Sequence, residues 1–272
     1  MLPAIIISSV IVLIAALCLF LFAPKKPDET QKKEFYGRNF AHRGLFTADQ
    51  TVPENSLPAF QRAVDAGYGV ELDVQLSADG RVVVFHDDTL DRACGVASGV
   101  GDLTFDELRT LKLFGTAELI PDFESVLSVL GGKVPVIVEL KNGKKNDELC
   151  EQTLKMLSGY DGAYCVESFS PFIVGWFRKN ARGVLRGQLS QLPRDYAGAV
   201  PKPAAALLGA CFFNFIARPN FIAHRSGKTT LPVRLAYALG AMRVSWTAHG
   251  REEEEYSDAV IFEHFSPDIR FR

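Results

Sequence analysis

Two carboxylates separated by a single residue, in Glu71-Leu72-Asp73-Val74, are the first feature of the chain with chemical content. Positions i and i+2 of a strand share a face, so Glu71 and Asp73 would repel each other unless a cation lay between them. Oxygen ligands suit one divalent cation, Mg²⁺ or Ca²⁺. A few residues on, Ala78-Asp79-Gly80-Arg81 reads as a tight hairpin turn. With Asp79 and Gly80 as the loop, equal counting outward sets Asp73 opposite His86, which brings a histidine beside the carboxylates. His42 closes another strand-like segment in Ala41-His42-Arg43-Gly44, where the glycine permits a sharp exit and Arg43 suits a phosphate oxygen. The apolar run Val136-Ile137-Val138 ends in Glu139-Leu140-Lys141, a third carboxylate with a lysine on the same face. Glu139 would complete a metal site with Glu71 and Asp73. A hard cation together with Arg43 or Lys141 would neutralise phosphate charge, and two histidines could move protons, which is the equipment of phosphodiester hydrolysis. The sequence has no G-x-S-x-G elbow, P-loop or dinucleotide fingerprint, so acyl transfer, nucleotide hydrolysis and hydride transfer lack support.

These residues need a frame that gathers strand ends. Short apolar runs at Arg38–His42, Gly69–Val74, Val134–Leu140, Ala163–Ser168, Val184–Leu189, Asn220–His224, Ala241–Thr247 and Ala259–Glu263 alternate with longer amphipathic stretches. Helices are expected over Leu57–Ala66, Asp122–Leu130, Asp147–Leu157 and Leu231–Leu239, the first, second and last stopped by Gly67, Gly131 and Gly240. Eight strands with helices between them predict an α/β fold, a TIM (β/α)₈ barrel, whose C-terminal strand ends carry the chemistry. Glu252–Glu255 reads as a solvated helix face.

Before the barrel, Leu2–Ala23 carries no charge, and a helix of that length would span roughly 33 Å, enough to cross a bilayer. Only Met1 precedes it, so the positive n-region of a cleaved signal is missing. The expected organisation is a transmembrane anchor over residues 1–23, a lysine-rich linker over 24–37 and the barrel domain over 38–272. Lys25, Lys26, Lys32 and Lys33 follow the apolar segment and favour a single-pass protein with its catalytic domain in the cytoplasm. A net charge of -2 supplies no basic field for nucleic acid. The five cysteines form no C-x-x-C pair, which disfavours a zinc site or disulfide framework.

The ordered set His42-Arg43-Gly44, Pro53-Glu54-Asn55-Ser56, Glu71-Leu72-Asp73-Val74, His86-Asp87 and Val138-Glu139-Leu140-Lys141 resembles the glycerophosphodiester phosphodiesterase family. The resemblance continues through Ser168-Phe169-Ser170-Pro171 and returns at Ser245-Trp246-Thr247, leaving only the anchor and linker outside it. It implies that His42 and His86 are the acid–base pair, that Glu71, Asp73 and Glu139 bind the divalent cation, and that Arg43 and Lys141 contact phosphate. Glu54 would support the site, Asn55 or Ser56 would cap the following helix, and Trp246 would line the pocket for the alcohol or lipid. A short insertion is expected after the early hairpin that ends at His86. The implied reaction hydrolyses a glycerophosphodiester to glycerol phosphate and an alcohol, either through the substrate's neighbouring hydroxyl and a cyclic phosphate or by direct attack of water. Thr247-Ala248-His249 and Glu263-His264 depart from the family, which has asparagine in place of His249 and more often aspartate at the end of the last strand. Two alternatives are lysophospholipase D-like hydrolysis of membrane lysolipids and a noncatalytic, membrane-tethered barrel.

Overall fold

The apolar runs pair side by side into a closed ring in the computed structural model, which describes residues 2–196 and 198–272. The strands are β1 (Arg38–Ala41), β2 (Gly69–Leu76), β3 (Val82–Val84), β4 (Val136–Leu140), β5 (Tyr164–Ser168), β6 (Leu185–Ser190), β7 (Phe221–Arg225), β8 (Met242–Ala248) and β9 (Ala259–Phe262). All except β3 run parallel, and β1 pairs with both β2 and β9, so eight strands form a TIM barrel with no open edge. Every expected strand is present, with ends shifted by one or two residues.

The helices are α1 (Leu2–Phe22), α2 (Glu29–Lys32), α3 (Leu57–Ala66), α4 (Asp91–Cys94), α5 (Phe105–Leu108), α6 (Phe123–Leu130), α7 (Asn146–Leu157), α8 (Pro171–Asn180), α9 (Lys202–Gly209), α10 (Asn214–Ala217) and α11 (Leu231–Ala238). Local chemistry fixes their ends. Ser56 caps α3 by accepting from Ala59 N, Asp122 caps α6 by accepting from Ser125 N, and Gly67 and Gly131 take left-handed conformations that stop those helices.

Alternation along the strands sorts two apolar layers. Val70, Leu72, Val74, Val136 and Val138 face the helices, whereas Phe40, Ile137, Cys165, Leu185, Phe221, Met242 and Ile261 fill the barrel interior. Gly187 has no side chain because the Phe221 ring occupies the space its Cβ would need. With the floor packed by these residues, the inward positions one step further along β2, β4 and β5 (Asp73, Glu139 and Glu167) stand at one level at the C-terminal rim.

The hairpin register differs from the two-residue loop expected. Val74 pairs with Val84 and Leu76 with Val82, so Phe85 rather than His86 lies opposite Asp73. The turn holds three residues, and Gly80 at φ +79° absorbs the extra one, as in a type I turn closed by a left-handed residue. The insertion that follows, up to Pro121, carries α4 and α5 and packs around Val83, Phe85, Leu90, Val100 and Leu108. Residues 251–255 form a 3₁₀ helix that is only partly a solvated face: Glu253 is buried and accepts from Gly227 N, and Glu254 accepts from Asn39 Nδ2. All five cysteines are free.

Met1, the first residue of the expected anchor, lies outside the described residues. Within α1, Ile5–Phe22 has a mean hydropathy of 3.1 and is unburied, long and apolar enough to cross a membrane. Its last turn rests on the barrel wall: Phe20 stacks on Phe215 at 5.7 Å, Phe22 meets Phe212 edge-on, and Asn214 Nδ2 donates to Phe22 O. Arg218 Nη1 donates to Ala23 O, Lys25 N to Pro219 O and Asn220 Nδ2 to Lys25 O. Residues 22–25 therefore lie against the chain entering β7, and Phe35 stacks on Phe40 across the foot of the barrel.

Candidate active site

The rim residues converge on a cleft of about 850 Å³ whose lining includes His42, Arg43, Glu71, His86, Glu139, Lys141 and Trp246. Immediately after β1 the chain turns sharply, with Arg43 at φ +53° and Gly44 at φ +79°; a side chain at Gly44 would strike Ala59 and Phe60. That turn aims the Arg43 backbone N–H at Glu71 Oε2, 3.0 Å away.

Glu71, Asp73 and Glu139 are buried and each offers a carboxylate oxygen, all within 4.8 Å of one another. Three hard oxygen donors gathered in this way fit a divalent cation. Their protonation reflects position. Burial and the charges of Asp73, Glu167 and Glu139 raise Glu71 well above the ordinary carboxylate range. Burial also acts to raise Asp73, but Lys141, His86, Arg43 and the Asn55 amide outweigh it and hold its carboxyl low. Lys141 Nζ lies 2.9 Å from Glu139 and 3.4 Å from Asp73; burial would lower its pKa, yet these carboxylates raise it. Arg43 Nη1 is bound at 2.8 Å by Glu54, which Arg92 clamps at 2.7 Å from the other side. Glu54 thus holds the arginine at the site.

Both histidines are tied at Nδ1 by a carboxylate. His42 Nδ1 lies 2.7 Å from Glu263 Oε2, and its Nε2 lies 3.9 Å from Glu71. Burial lowers the His42 pKa below the ordinary value, against the Glu263 hydrogen bond that raises it. His86 Nδ1 lies 2.6 Å from Asp87, which Arg92 Nε also grips at 2.6 Å. His86 reaches the rim because β3 ends at Val84 and the chain then turns over the barrel, not because it pairs with Asp73. Trp246 stands on the opposite wall, its Nε1 donating to Ser190 O and Ala223 O and its ring meeting Phe169 edge-on at 5.9 Å. The cleft thus has a charged half and an apolar half, the latter extended by Leu189, Tyr196, Val200 and Leu208.

Residues 42–252 match the model of the glycerophosphoryl diester phosphodiesterase family. The chain belongs to this family. It is 40% identical over 111 residues to a glycerophosphodiester phosphodiesterase of Caldanaerobacter subterraneus subsp. tengcongensis, covering 38% of this chain and 44% of that protein. It is 31% identical over 155 residues to a lysophospholipase D of Rattus norvegicus, covering 52% and 48%. The chain therefore spans about half the length of the curated relatives it matches. The fold matches that of an Oleispira antarctica phosphodiesterase solved in complex with the product sn-glycerol-3-phosphate, at a TM-score of 0.67, 23% identity, and coverage of 84% of this chain and 93% of that one.

Within this family frame, sequence reasoning missed four contributors. Glu263 was visible only as a departure at the last strand end, although it holds His42. Asn55 does not cap α3, which Ser56 does; at φ +54° it donates from Nδ2 to Asp73 Oδ2 at 2.9 Å. Arg92 lies in the insertion, where no motif marked it. Glu167 precedes the Ser168-Phe169 motif and could have been found from its inward parity on β5.

Proposed function

We propose that the chain hydrolyses glycerophosphodiesters to glycerol phosphate and an alcohol. The observation that carries this reading is the meeting of three buried carboxylates within 4.8 Å of one another with two histidines, each braced at Nδ1 by an acid, in one cleft. Glu71, Asp73 and Glu139 would hold a divalent cation, which would neutralise charge on the phosphoryl oxygens. Arg43, fixed by Glu54, and Lys141 orient the phosphate from either side of the carboxylates. His42, kept neutral by burial, takes at Nε2 the proton of the attacking hydroxyl, that of water or of the substrate itself, and Glu263 steadies the resulting imidazolium; where the substrate's own hydroxyl attacks, water then opens the cyclic phosphate to glycerol phosphate. His86, on the outer wall, gives a proton to the departing alcohol. Trp246 and Phe169 bound the space for that alcohol.

The helix Leu2–Phe22 acts in this reading as a retained single-pass anchor, with the lysines that follow it keeping the barrel on the cytoplasmic side. An apolar half to the cleft, in a chain held at a membrane, favours lysolipids as a second substrate class, cleaved by the same chemistry.

The purified full-length chain in detergent, given short glycerophosphodiesters, should release glycerol phosphate; removal of divalent cations with a chelator should stop the reaction, and their return should restore it. His42→Ala and His86→Ala should each lose about 10²–10⁴-fold in turnover with metal binding intact. Turnover that ignores both the chelator and the histidines would refute the assignment. Parallel rates on lysolipids in mixed micelles decide the second class.

A further inference from the structure

Glu167 has no role in the reaction as outlined, yet it is 2% exposed and lines the cleft. Parallel pairing sets Asp73 opposite Glu139 and Glu139 opposite Glu167, so three adjacent strands, their backbones roughly 4.8 Å apart, present inward carboxylates at one level; Glu167 stands beside the trio whose oxygens lie within 4.8 Å of one another, and a turn of its side chain would let it join them. Its neighbours are compensated: Asp73 by Asn55 and Lys141, Glu139 by Lys141, and Glu71 by the Arg43 N–H. Glu167 Oε2 is fully buried and has no hydrogen-bond partner among the described residues. Burying a carboxylate oxygen without a partner is costly, and such groups persist where a ligand completes them.

We propose that Glu167 is a fourth carboxylate ligand of the cation site, closing it on the β5 side, and that it makes the site select calcium over magnesium. This rests on the metal-dependent reading above. A cation held by four carboxylates at the mouth of an open cleft has the crowded, oxygen-rich surroundings that calcium accepts with six to eight ligands. Magnesium demands an octahedron, keeps several waters and is usually bound through one or two carboxylates. Lys141 cannot serve Glu167 in place of a cation, because it is already shared by Asp73 and Glu139.

The test is calorimetric titration of the metal-free full-length chain in detergent with calcium and, separately, with magnesium, comparing wild type, Glu167→Gln and Asp73→Asn. Wild type should bind calcium more tightly than magnesium. Glu167→Gln should lose at least about tenfold in calcium affinity and narrow the gap between the ions. Glu167→Asp keeps the charge but draws the carboxylate back, and should also weaken calcium; it serves as the second variant if the amide fails to fold by circular dichroism. Wild-type calcium affinity in either folded variant, beside a loss in Asp73→Asn, would overturn the role of Glu167 alone. A wild-type protein that binds neither ion would overturn the metal reading itself, and one that prefers magnesium would overturn the selectivity.

Discussion

His42 carries a depressed pKa because it is buried, and Glu263 works against that depression through the 2.7 Å contact at Nδ1. Glu263 also contacts His249, whose Nε2 lies 3.4 Å from Oε1. Burial would raise the Glu263 carboxyl, but the His42 hydrogen bond and the surrounding histidines bring it to about 2, so it stays ionised across the working range. Glu263→Gln removes the influence that raises His42, so the His42 pKa falls further and the acid limb of the pH profile of kcat/KM should move to lower pH. The maximal rate should drop roughly 10–100-fold, since a base held in the wrong tautomer or orientation is poorly used. An acid limb unmoved in the variant would separate Glu263 from His42. The residues legible in the sequence at this scale were those that lie in compact motifs, His42-Arg43, Glu71-Leu72-Asp73 and Glu139-Leu140-Lys141. Braces that come from distant segments left little trace, Arg92 none and Glu263 only a departure at the last strand end, because spacing reports neighbours along the chain and not across the barrel.

Elements carry the carboxylates to one level, and they do so by packing the floor beneath them. The strand positions were readable because alternating burial has a period of two, and the helix stops because Gly67 and Gly131 adopt conformations that favour glycine. The hairpin register was not readable, because Asp79-Gly80 is compatible with two- and three-residue loops and a slip by one residue exchanges the faces. His86 nonetheless reaches the cleft, since it lies beyond the end of β3 and is freed from strand alternation. Gly187 is the element-scale counterpart of a catalytic residue: its missing side chain lets Phe221 fill the floor beside the level at which Glu167 stands. Gly187→Ala should destabilise the fold by about 1–3 kcal/mol through overpacking, seen as a lowered melting temperature. Adding Phe221→Leu should return part of the loss; a single variant with wild-type stability would show that the ring has room to move.

At the scale of the molecule, the barrel and its rim were legible from strand count and order, whereas the docking of α1 was not, because Phe212 and Phe215 look like ordinary core residues until Phe20 and Phe22 are seen against them. A chain beginning at residue 24 should keep its activity on short glycerophosphodiesters within about twofold, since the cleft lining starts at His42, but should self-associate through the uncovered phenylalanines. Sedimentation beside initial rates checks both, and a monomeric fragment without activity would tie the helix to the site. Ring closure has a further consequence. His42 is separated by 221 residues from the carboxylate that braces it. During translation the histidine waits for those 221 residues, so a product terminated between the two lacks the finished dyad however well the part already made has folded. The hydrolysis proposed above would thereby wait until Glu263 has been made, and a stop codon anywhere ahead of it would yield a protein in which His42 is unbraced.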